Sequence, residues 1–311
     1  MKSSAHNRVA QDSARDVTDR LLSGGGRPGA VKSAVFQAAV LSCVLIAIVT
    51  LLAVIGWAIV AGWDRLDLNL LTQMPSGMRS RLQTSGLQSA IVGSLMVMAG
   101  LAVTVLPLGI AAAVFLEEFA DQERWYTRVI EVSVQNLAAV PSIVFGILGL
   151  AFIMRGPLSF GSVVYTGSLT LALLVLPTVI VTSREAIRSV PNSIRLGSMA
   201  LGATRWRTVW HQVLPVSIPG IITGAILALS RAIGEAAPLI MIGTATFVTF
   251  NPAGFFEGRF TVLPVQIYYW SSQANDDFHV LAAAGVIVLI AMLLSLNSFA
   301  IWVRARASTD Y

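Results

Sequence analysis

Two charged residues lie where a charge is costly, inside a long apolar stretch. Arg231 and Glu235 are four positions apart, so on a helix both side chains share one face and can pair. If that helix starts near Ser217 at a membrane surface, Arg231 lies roughly 20 Å deep at 1.5 Å per residue. An isolated guanidinium at that depth costs at least about 3 kcal/mol, so it needs a partner or a water-filled cavity.

The guanidinium of Arg231 also has the chemistry of an oxyanion ligand. Its N–H donors form a rigid fork that suits phosphate or sulfate. Ser230 and Thr223 lie on the same predicted helix and would add neutral donors. Two compatible interpretations stay open: an ion pair that stabilises one helix, and a substrate pathway formed by Arg231, Glu235, Ser230 and Thr223. A third ionisable residue within the apolar stretches, Glu131, lies close in sequence to Arg124 and Arg128, and it is predicted to form an interfacial ion pair or to lie at a solvated edge.

No other residues suggest catalysis. Lys2 and Lys32 are the only lysines, so the chain has no phosphate-binding loop of the form Gly-x-x-x-x-Gly-Lys-Ser/Thr. The histidines are scattered, and Cys43 is a lone cysteine in an apolar run. The sequence therefore predicts a chain that is not an enzyme and binds neither a metal nor a cofactor itself.

The elements that position these residues belong to a membrane protein. Only 12% of the 311 residues are charged and 55% are hydrophobic, whereas soluble domains carry about a quarter charged residues. Six apolar stretches are long enough to cross a bilayer as helices, which predicts an all-α protein with six transmembrane helices. They cover about residues 34–62, 87–116, 128–154, 160–182, 216–248 and 279–303.

The distribution of basic residues orients these spans. Fifteen of the 21 Lys and Arg residues lie in the two termini and the loops 117–128 and 183–215, and five lie on the other side. By the positive-inside rule both termini are cytoplasmic. The high pI of about 9.9 reflects this orientation signal, so nucleic acid is not an expected partner, whereas the lipid membrane is.

The predicted organisation has four parts. Residues 1–32 form a disordered cytoplasmic tail, 33–86 the first transmembrane helix and an external loop, 87–305 the main transmembrane domain, and 306–311 a cytoplasmic tail. Gly220 and Gly224 in the fifth span favour close helix packing.

The cytoplasmic stretch Gly197–Pro215, GSMALGATRWRTVWHQVLP, has the pattern of a basic amphipathic helix. Its apolar stripe includes Trp206 and Trp210, and Pro215 is predicted to close the segment. Such a helix lies on the lipid surface or presents itself to a partner protein. The two tryptophans suit either role, as headgroup anchors or as side chains that insert into a partner's groove.

This stretch resembles the cytoplasmic coupling loop of binding-protein-dependent ABC importer permeases. That loop carries Glu-Ala-Ala, a Gly six residues after the Glu, and a later Leu-Pro. Gly202 matches the Gly and Leu214-Pro215 the end, while Leu196, Gly197 and Ser198 stand in place of Glu-Ala-Ala. The resemblance implies a coupling helix over 196–215 that docks a partner ATPase. The coupling residues it implies are Leu196, Gly197, Ala200, Gly202, Ala203, Trp206, Trp210, Leu214 and Pro215.

Three further stretches narrow the resemblance. Residues 138–152 (AAVPSIVFGILGLAF), 229–243 (LSRAIGEAAPLIMIG) and 260–273 (FTVLPVQIYYWSSQ) resemble, in order and spacing, the PstA-type permease subunit of the phosphate-specific ABC importer, a MetI-like type I permease. The resemblance implies a multi-pass bacterial inner-membrane protein. It also implies a homologous PstC-type permease, a PstB-type ATPase dimer that binds ATP and Mg²⁺, and a PstS-type phosphate-binding protein as partners.

Three alternatives remain at this stage. One is a six-span secondary transporter or channel for an oxyanion, which would need no cytoplasmic docking helix and for which no inverted repeat is evident. Another is the permease of a sulfate, molybdate or phosphonate ABC importer, since one arginine does not distinguish tetrahedral oxyanions. The third, a membrane-embedded enzyme, lacks clustered catalytic residues.

Overall fold

The computed structural model describes residues 28–77, 84–121, 123–244 and 248–309, and its regular elements there are helices. Two compact units are distinguished, residues 1–57 and 58–311. A short 3₁₀ turn covers Trp63–Arg65. In chain order the helices are α1 (Pro28–Gly62), α2 (Leu68–Thr72), α3 (Gln88–Phe119), α4 (Trp125–Ala138), α5 (Ser142–Met154), α6 (Val164–Arg188), α7 (Asn192–Ala200), α8 (Arg205–Ile233), α9 (Ala237–Met241), α10 (Leu263–Ser271) and α11 (Asp276–Thr309).

Most of the first unit's described part is the beginning of α1. The side chains from Ser33 to Val54 are all exposed, and the helix is apolar on every side. A helix that is hydrophobic all round is suited to lipid or to another apolar surface. Residues 28–32, which were assigned to the predicted tail, belong to α1. Residues 1–27 lie outside the described part of the chain.

Five helices are long and apolar enough to cross a membrane alone: α1, α3, α6, α8 and α11. The remaining predicted span, 128–154, is a bent pair of helices, because α4 and α5 meet at 106°. The prediction of one continuous helix over 128–154 was therefore wrong. Pro141 provides the physical reason, since it has no N–H and disfavours helical backbone in the residue before it.

The fifth and sixth spans also end differently from the prediction. Helix α8 stops at Ile233, and the separate short helix α9 follows, so the predicted span 216–248 is shorter by fifteen residues at its end. Pro238 lies in the first turn of α9, where its missing N–H is tolerated, whereas it could not continue α8. At the C-terminus, residues 306–309 continue α11 instead of forming a tail, and 310–311 lie outside the described residues.

Helix α6 is the centre of the second unit. It packs against α3, α4, α5, α8 and α9, and its Leu171, Val175 and Val179 are buried in the main hydrophobic core. The predicted glycine pair on α8 does lie against α6. A Cβ on Gly224 would come within 2.4 Å of Thr182 Oγ1, and one on Gly220 within 2.8 Å of the Ala186 Cβ. These glycines allow the two helices to approach closely.

Candidate docking segment and substrate pathway

The predicted coupling helix is two helices separated by a tight turn. Helix α7 ends at Ala200, and Gly202 adopts a left-handed φ of +86°. The Gly202 amide donates to the Met199 carbonyl (2.9 Å) and the Ala203 amide to the Ser198 carbonyl (3.2 Å). This is the Schellman arrangement that ends helices at a glycine. The prediction of a single amphipathic helix over 197–215 was therefore wrong, because Gly202 terminates one helix and the Thr204 side chain caps the next.

Pro215 does not close the segment either. Helix α8 runs from Arg205 through a π-helical stretch, Val209–Val213, into Leu214–Ile233 without a break. Pro215 occupies the second position after the π-helical stretch, where its missing N–H is tolerated. The cytoplasmic segment and the fifth span are thus one continuous helix, and Leu214 is partly buried against a hydrophobic cluster.

The surface of α7 and the start of α8 is apolar and exposed. We call it the docking face and define it by Leu196, Met199, Leu201, Trp206 and Trp210. Leu201, at the turn, is 91% exposed. The rings of Trp206 and Trp210 lie 5.4 Å apart.

Two contacts hold the docking face in place. The Ser198 and Thr208 hydroxyls are 2.9 Å apart, which links α7 to α8. The ring of Trp206 also lies 5.7 Å from that of Phe119 at the end of α3. Gly197, Ala200 and Gly202 lie on the exposed side of α7 and its turn, whereas Ala203 is half-buried.

An ion cluster lies beneath this face, and sequence reasoning missed most of it. Its acids are Glu117 and Glu118 at the end of α3 and Glu131 of α4; its bases are Arg184 and Arg188 of α6 and Arg195 of α7. Glu117 accepts from Arg184 (3.3 Å) and from both Nε and Nη2 of Arg188 (2.9 and 3.1 Å). These bonds join the cytoplasmic ends of α3 and α6.

Of the two alternatives for Glu131, the structure shows the ion pair, formed with an arginine that is distant in sequence. Glu131 accepts a hydrogen bond from Arg184 of α6, whereas Arg124 pairs with Asp121 at 3.1 Å. The pKa of the Asp121 carboxyl lies below its ordinary value, because the carboxylate accepts from the Glu123 amide and from the Arg124 guanidinium. A sequence signal for the cluster did exist, since adjacent glutamates at the end of an apolar span face the most arginine-rich loop.

At the other end of α8, Arg231 and Glu235 are brought together loosely. The Nε and Oε1 atoms are 3.7 Å apart, within range of an ion pair but longer than a hydrogen bond. Helix α8 ends at Ile233, so the pair is not within one helix as predicted; Arg231 lies in the last turn and Glu235 beyond it. The Arg231 side chain is 64% exposed and that of Glu235 is 20% exposed. Among the described residues of the second unit, none besides Glu235 is seen to pair with the guanidinium, so it retains free donors.

The two hydroxyl residues of the predicted pathway contact α11. The Ser230 hydroxyl has one hydrogen to donate and lies within hydrogen-bonding distance of two acceptors, the Ile226 carbonyl and Asn297 Oδ1. Thr223 donates to the Pro219 carbonyl and accepts from Arg304 Nη1 at 3.1 Å. These hydroxyls join α8 to α11. In this conformation both hydroxyl hydrogens are donated to protein acceptors. A pathway role for Ser230 and Thr223 stays a prediction.

Known membrane transport proteins are similar to this chain in sequence. A family model described as the binding-protein-dependent transport system inner membrane component matches residues 105–309. The chain is 33% identical over 215 residues to the phosphate transport system permease protein PstA of Mycobacterium leprae (strain TN), covering 69% of each chain. It is 30% identical over 270 residues to PstA 1 of Mycobacterium tuberculosis (strain ATCC 25618 / H37Rv), covering 85% of this chain and 83% of that protein. It is also 29% identical to the probable ABC transporter permease protein YqgI of Bacillus subtilis (strain 168), covering 84% and 90%.

Solved structures agree on the fold. A bacterial alginate ABC transporter in complex with its alginate-bound periplasmic protein superposes with a TM-score of 0.63 at 15% identity, covering 86% of this chain and 93% of that one. The inward-facing MetNI methionine ABC transporter gives 0.55 at 16% identity, covering 71% and 94%. The matched family model covers most of the second unit, from α3 to the end of α11. The chain therefore belongs to the family of binding-protein-dependent transport system inner membrane components.

Proposed function

We propose that this chain is the permease subunit of an ATP-driven importer of inorganic phosphate and forms half of the translocation pathway. The observation that carries the proposal is the exposed guanidinium of Arg231, in a chain 30% or more identical to proteins named PstA. A phosphate oxyanion would bind the donors that Glu235, at 3.7 Å, leaves free. The substrate is then attracted by the charge and released again, because a single arginine does not enclose it.

The docking face accounts for the second half of the proposal, coupling to ATP. An exposed apolar surface that contains two neighbouring tryptophans has the composition typical of a protein-binding patch. A PstB-type ATPase dimer, which would itself hold ATP and Mg²⁺, would bind this surface. Because α8 is continuous from Arg205 to Ile233, movement at the docking face reaches the turn that carries Arg231. Leu196, which replaces the acid of related coupling loops, makes this contact apolar instead of ionic.

Two further partners are proposed, a second permease and a phosphate-binding protein. One chain leaves the guanidinium open on one side, so a homologous PstC-type permease would complete the pathway. A PstS-type phosphate-binding protein would deliver the anion at the non-cytoplasmic surface. This chain would contribute no catalytic group to ATP hydrolysis.

The experiment is uptake of labelled phosphate into proteoliposomes that contain the complete complex with ATP on the ATPase side. We expect uptake and ATP hydrolysis that both require phosphate-loaded binding protein. Sulfate and molybdate, each presented in the same assay with its own binding protein, should give less than about a tenth of the phosphate rate, a difference of about 1.4 kcal/mol, because the permease pair has to accept the binding protein as well as the anion. Transport of sulfate or molybdate instead would reassign the substrate.

The second candidate, a secondary carrier, is tested by leaving out the ATPase. Proteoliposomes that contain only the two permeases should show no uptake above that of empty vesicles, even with an imposed pH or sodium gradient. Gradient-driven uptake without the ATPase would refute the importer proposal.

A further inference from the structure

The ion pair between Glu118 and Arg195 differs from the rest of the ion cluster in its burial and in what it joins. Glu118 is 6% exposed and Arg195 is 17% exposed. Both Nη2 and Nε of Arg195 donate to Glu118 Oε1, at 2.7 and 3.0 Å. A charged pair removed from water to this degree is retained only with good geometry and further hydrogen bonds, since desolvation opposes it.

The further hydrogen bonds of Arg195 come from a third element. Its Nη2 donates to the Ile187 carbonyl at 2.9 Å, and its Nη1 donates to the Val190 carbonyl. These carbonyls belong to the last turn of α6 and the residues just after it. One guanidinium thus joins α7, which carries it, to the end of α3 through Glu118 and to the end of α6 through two carbonyls.

Few other contacts hold α7 to the transmembrane bundle. None of its side chains is fully buried, and only Ile194 packs against a core cluster, in part. The Ser198–Thr208 contact links α7 to α8, not to α3 or α6. Apart from the short connection 189–191, Arg195 makes the hydrogen bonds that are seen between α7 and the ends of α3 and α6.

The neighbouring glutamate has a different task. Glu117 and Glu118 lie in the π-helical last turn of α3, Phe115–Phe119, and point to different partners. Glu117 binds Arg184 and Arg188, both of α6, and within the part of the chain that the structure describes no ion pair joins it to α7. Local π-helical turns frequently occur at functional sites, and here the turn separates a bond within the bundle from a bond to the docking segment.

We propose that Arg195 and Glu118 are positioning residues that transmit movement of α7 to α3 and α6. The inference rests on the proposed function, in which a partner ATPase moves the docking face. Movement of the docking face then reaches the membrane by two routes. One is α8, which continues from the docking face. The other is the Arg195 guanidinium, which transmits the displacement of α7 to α3 and α6, the two helices that pack on each other most extensively. Without the pair, α7 would move with the ATPase, but less of its displacement would be transmitted to α3 and α6.

The test is the number of phosphate ions imported per ATP hydrolysed by the complete complex. Arg195→Met should leave an assembled complex that hydrolyses ATP, with the transport ratio lowered about tenfold, the upper range of coupling changes. Glu118→Gln should act in the same direction and more weakly, since the amide oxygen still accepts from Arg195. The matched control is Arg188→Met, which removes an arginine from the same ion cluster without touching α7 and should keep the wild-type ratio.

A covalent link distinguishes transmission from folding. In a Cys43→Ala background, Glu118→Cys together with Arg195→Cys should be uncoupled. A short bifunctional methanethiosulfonate that links the two thiols should restore the ratio, and a reducing agent should abolish it again. Linkage would be confirmed by mass spectrometry of the joined peptides.

Two outcomes overturn the inference. One is a wild-type ratio in Arg195→Met or in the unlinked double cysteine variant. The other is failure of assembly in Arg195→Met, in Arg195→Lys and in the linked double cysteine variant alike, which would make the pair a folding element only. Failure of the proposed function is recognised separately: the wild-type complex would then import another ion, for which the same ratio can be measured, or would import without the ATPase.

Discussion

Two helix ends of the second unit use the same side-chain chemistry in opposite ways. Near the end of α6, Arg184 is 11% exposed and bound by two carboxylates. At the end of α8, Arg231 is 64% exposed and faces a single carboxylate at 3.7 Å. A guanidinium whose donors are saturated stabilises the fold, whereas one with free donors can bind an anion. The distinction depends on the number and distance of partners and not on residue type.

The largest effect on stability is expected from Arg184→Met. It leaves Glu117 and Glu131 half-buried with fewer donors, and removal of one partner from a buried ion pair costs about 3 kcal/mol or more. Thermal unfolding in detergent should show a clearly lowered midpoint. The matched Arg231→Met variant should unfold within about 0.5 kcal/mol of wild type, as surface substitutions do. Equal destabilisation by both variants would remove the contrast between the two ends.

The next largest effect concerns the docking face. Trp206→Ala should weaken binding of the partner ATPase by about 2 kcal/mol, the range for a tryptophan at the centre of an interface. Binding can be measured by titrating the ATPase onto the purified permease pair in nanodiscs. Trp125→Ala is the control, because Trp125 is also exposed on the predicted cytoplasmic side but lies outside the docking face. Equal loss of binding by both variants would mean that Trp206 contributes through general membrane anchoring.

A smaller effect should follow from Gly202→Ala. No atom lies within 4 Å of the added Cβ, so the only penalty is the left-handed backbone, about 1–2 kcal/mol. Gly197→Ala is the matched control, since Gly197 lies within α7, also has no atom within 4 Å of the added Cβ, and gains helix propensity. Thermal unfolding should rank the variants Gly197→Ala, wild type, Gly202→Ala from most to least stable. Identical stability of both variants would argue against the turn at Gly202.

The sequence was sufficient to locate the membrane spans. Apolar runs of 20 or more residues located them, because hydropathy depends only on neighbouring residues, whereas the turn at Gly202 was missed. The ion cluster was not predictable by such rules, since Arg184 and Glu117 are 67 positions apart and Arg195 and Glu118 are 77 apart. Helical spacing rules apply only to pairs of residues that are three or four positions apart.

Proline positions were the second source of error. Pro141 lies within a stretch predicted to be one span and divides it into two helices that meet at 106°. Pro215 was expected to end a segment and is accommodated after a π-helical turn. A proline alone indicates a missing hydrogen bond, and the surrounding packing decides whether the helix bends, breaks or continues.

The most direct test of the account is phosphate uptake by complexes with Arg231→Gln, compared with Arg259→Gln. Arg259 is also an exposed arginine on the predicted non-cytoplasmic side of the chain. Both variants should assemble and bind the ATPase like wild type. We predict that Arg231→Gln lowers uptake by roughly 10- to 100-fold, corresponding to the loss of charged hydrogen bonds of about 1.5–3 kcal/mol, while Arg259→Gln keeps the wild-type rate. Uptake at the wild-type rate in Arg231→Gln would contradict the assignment of Arg231 to the phosphate pathway.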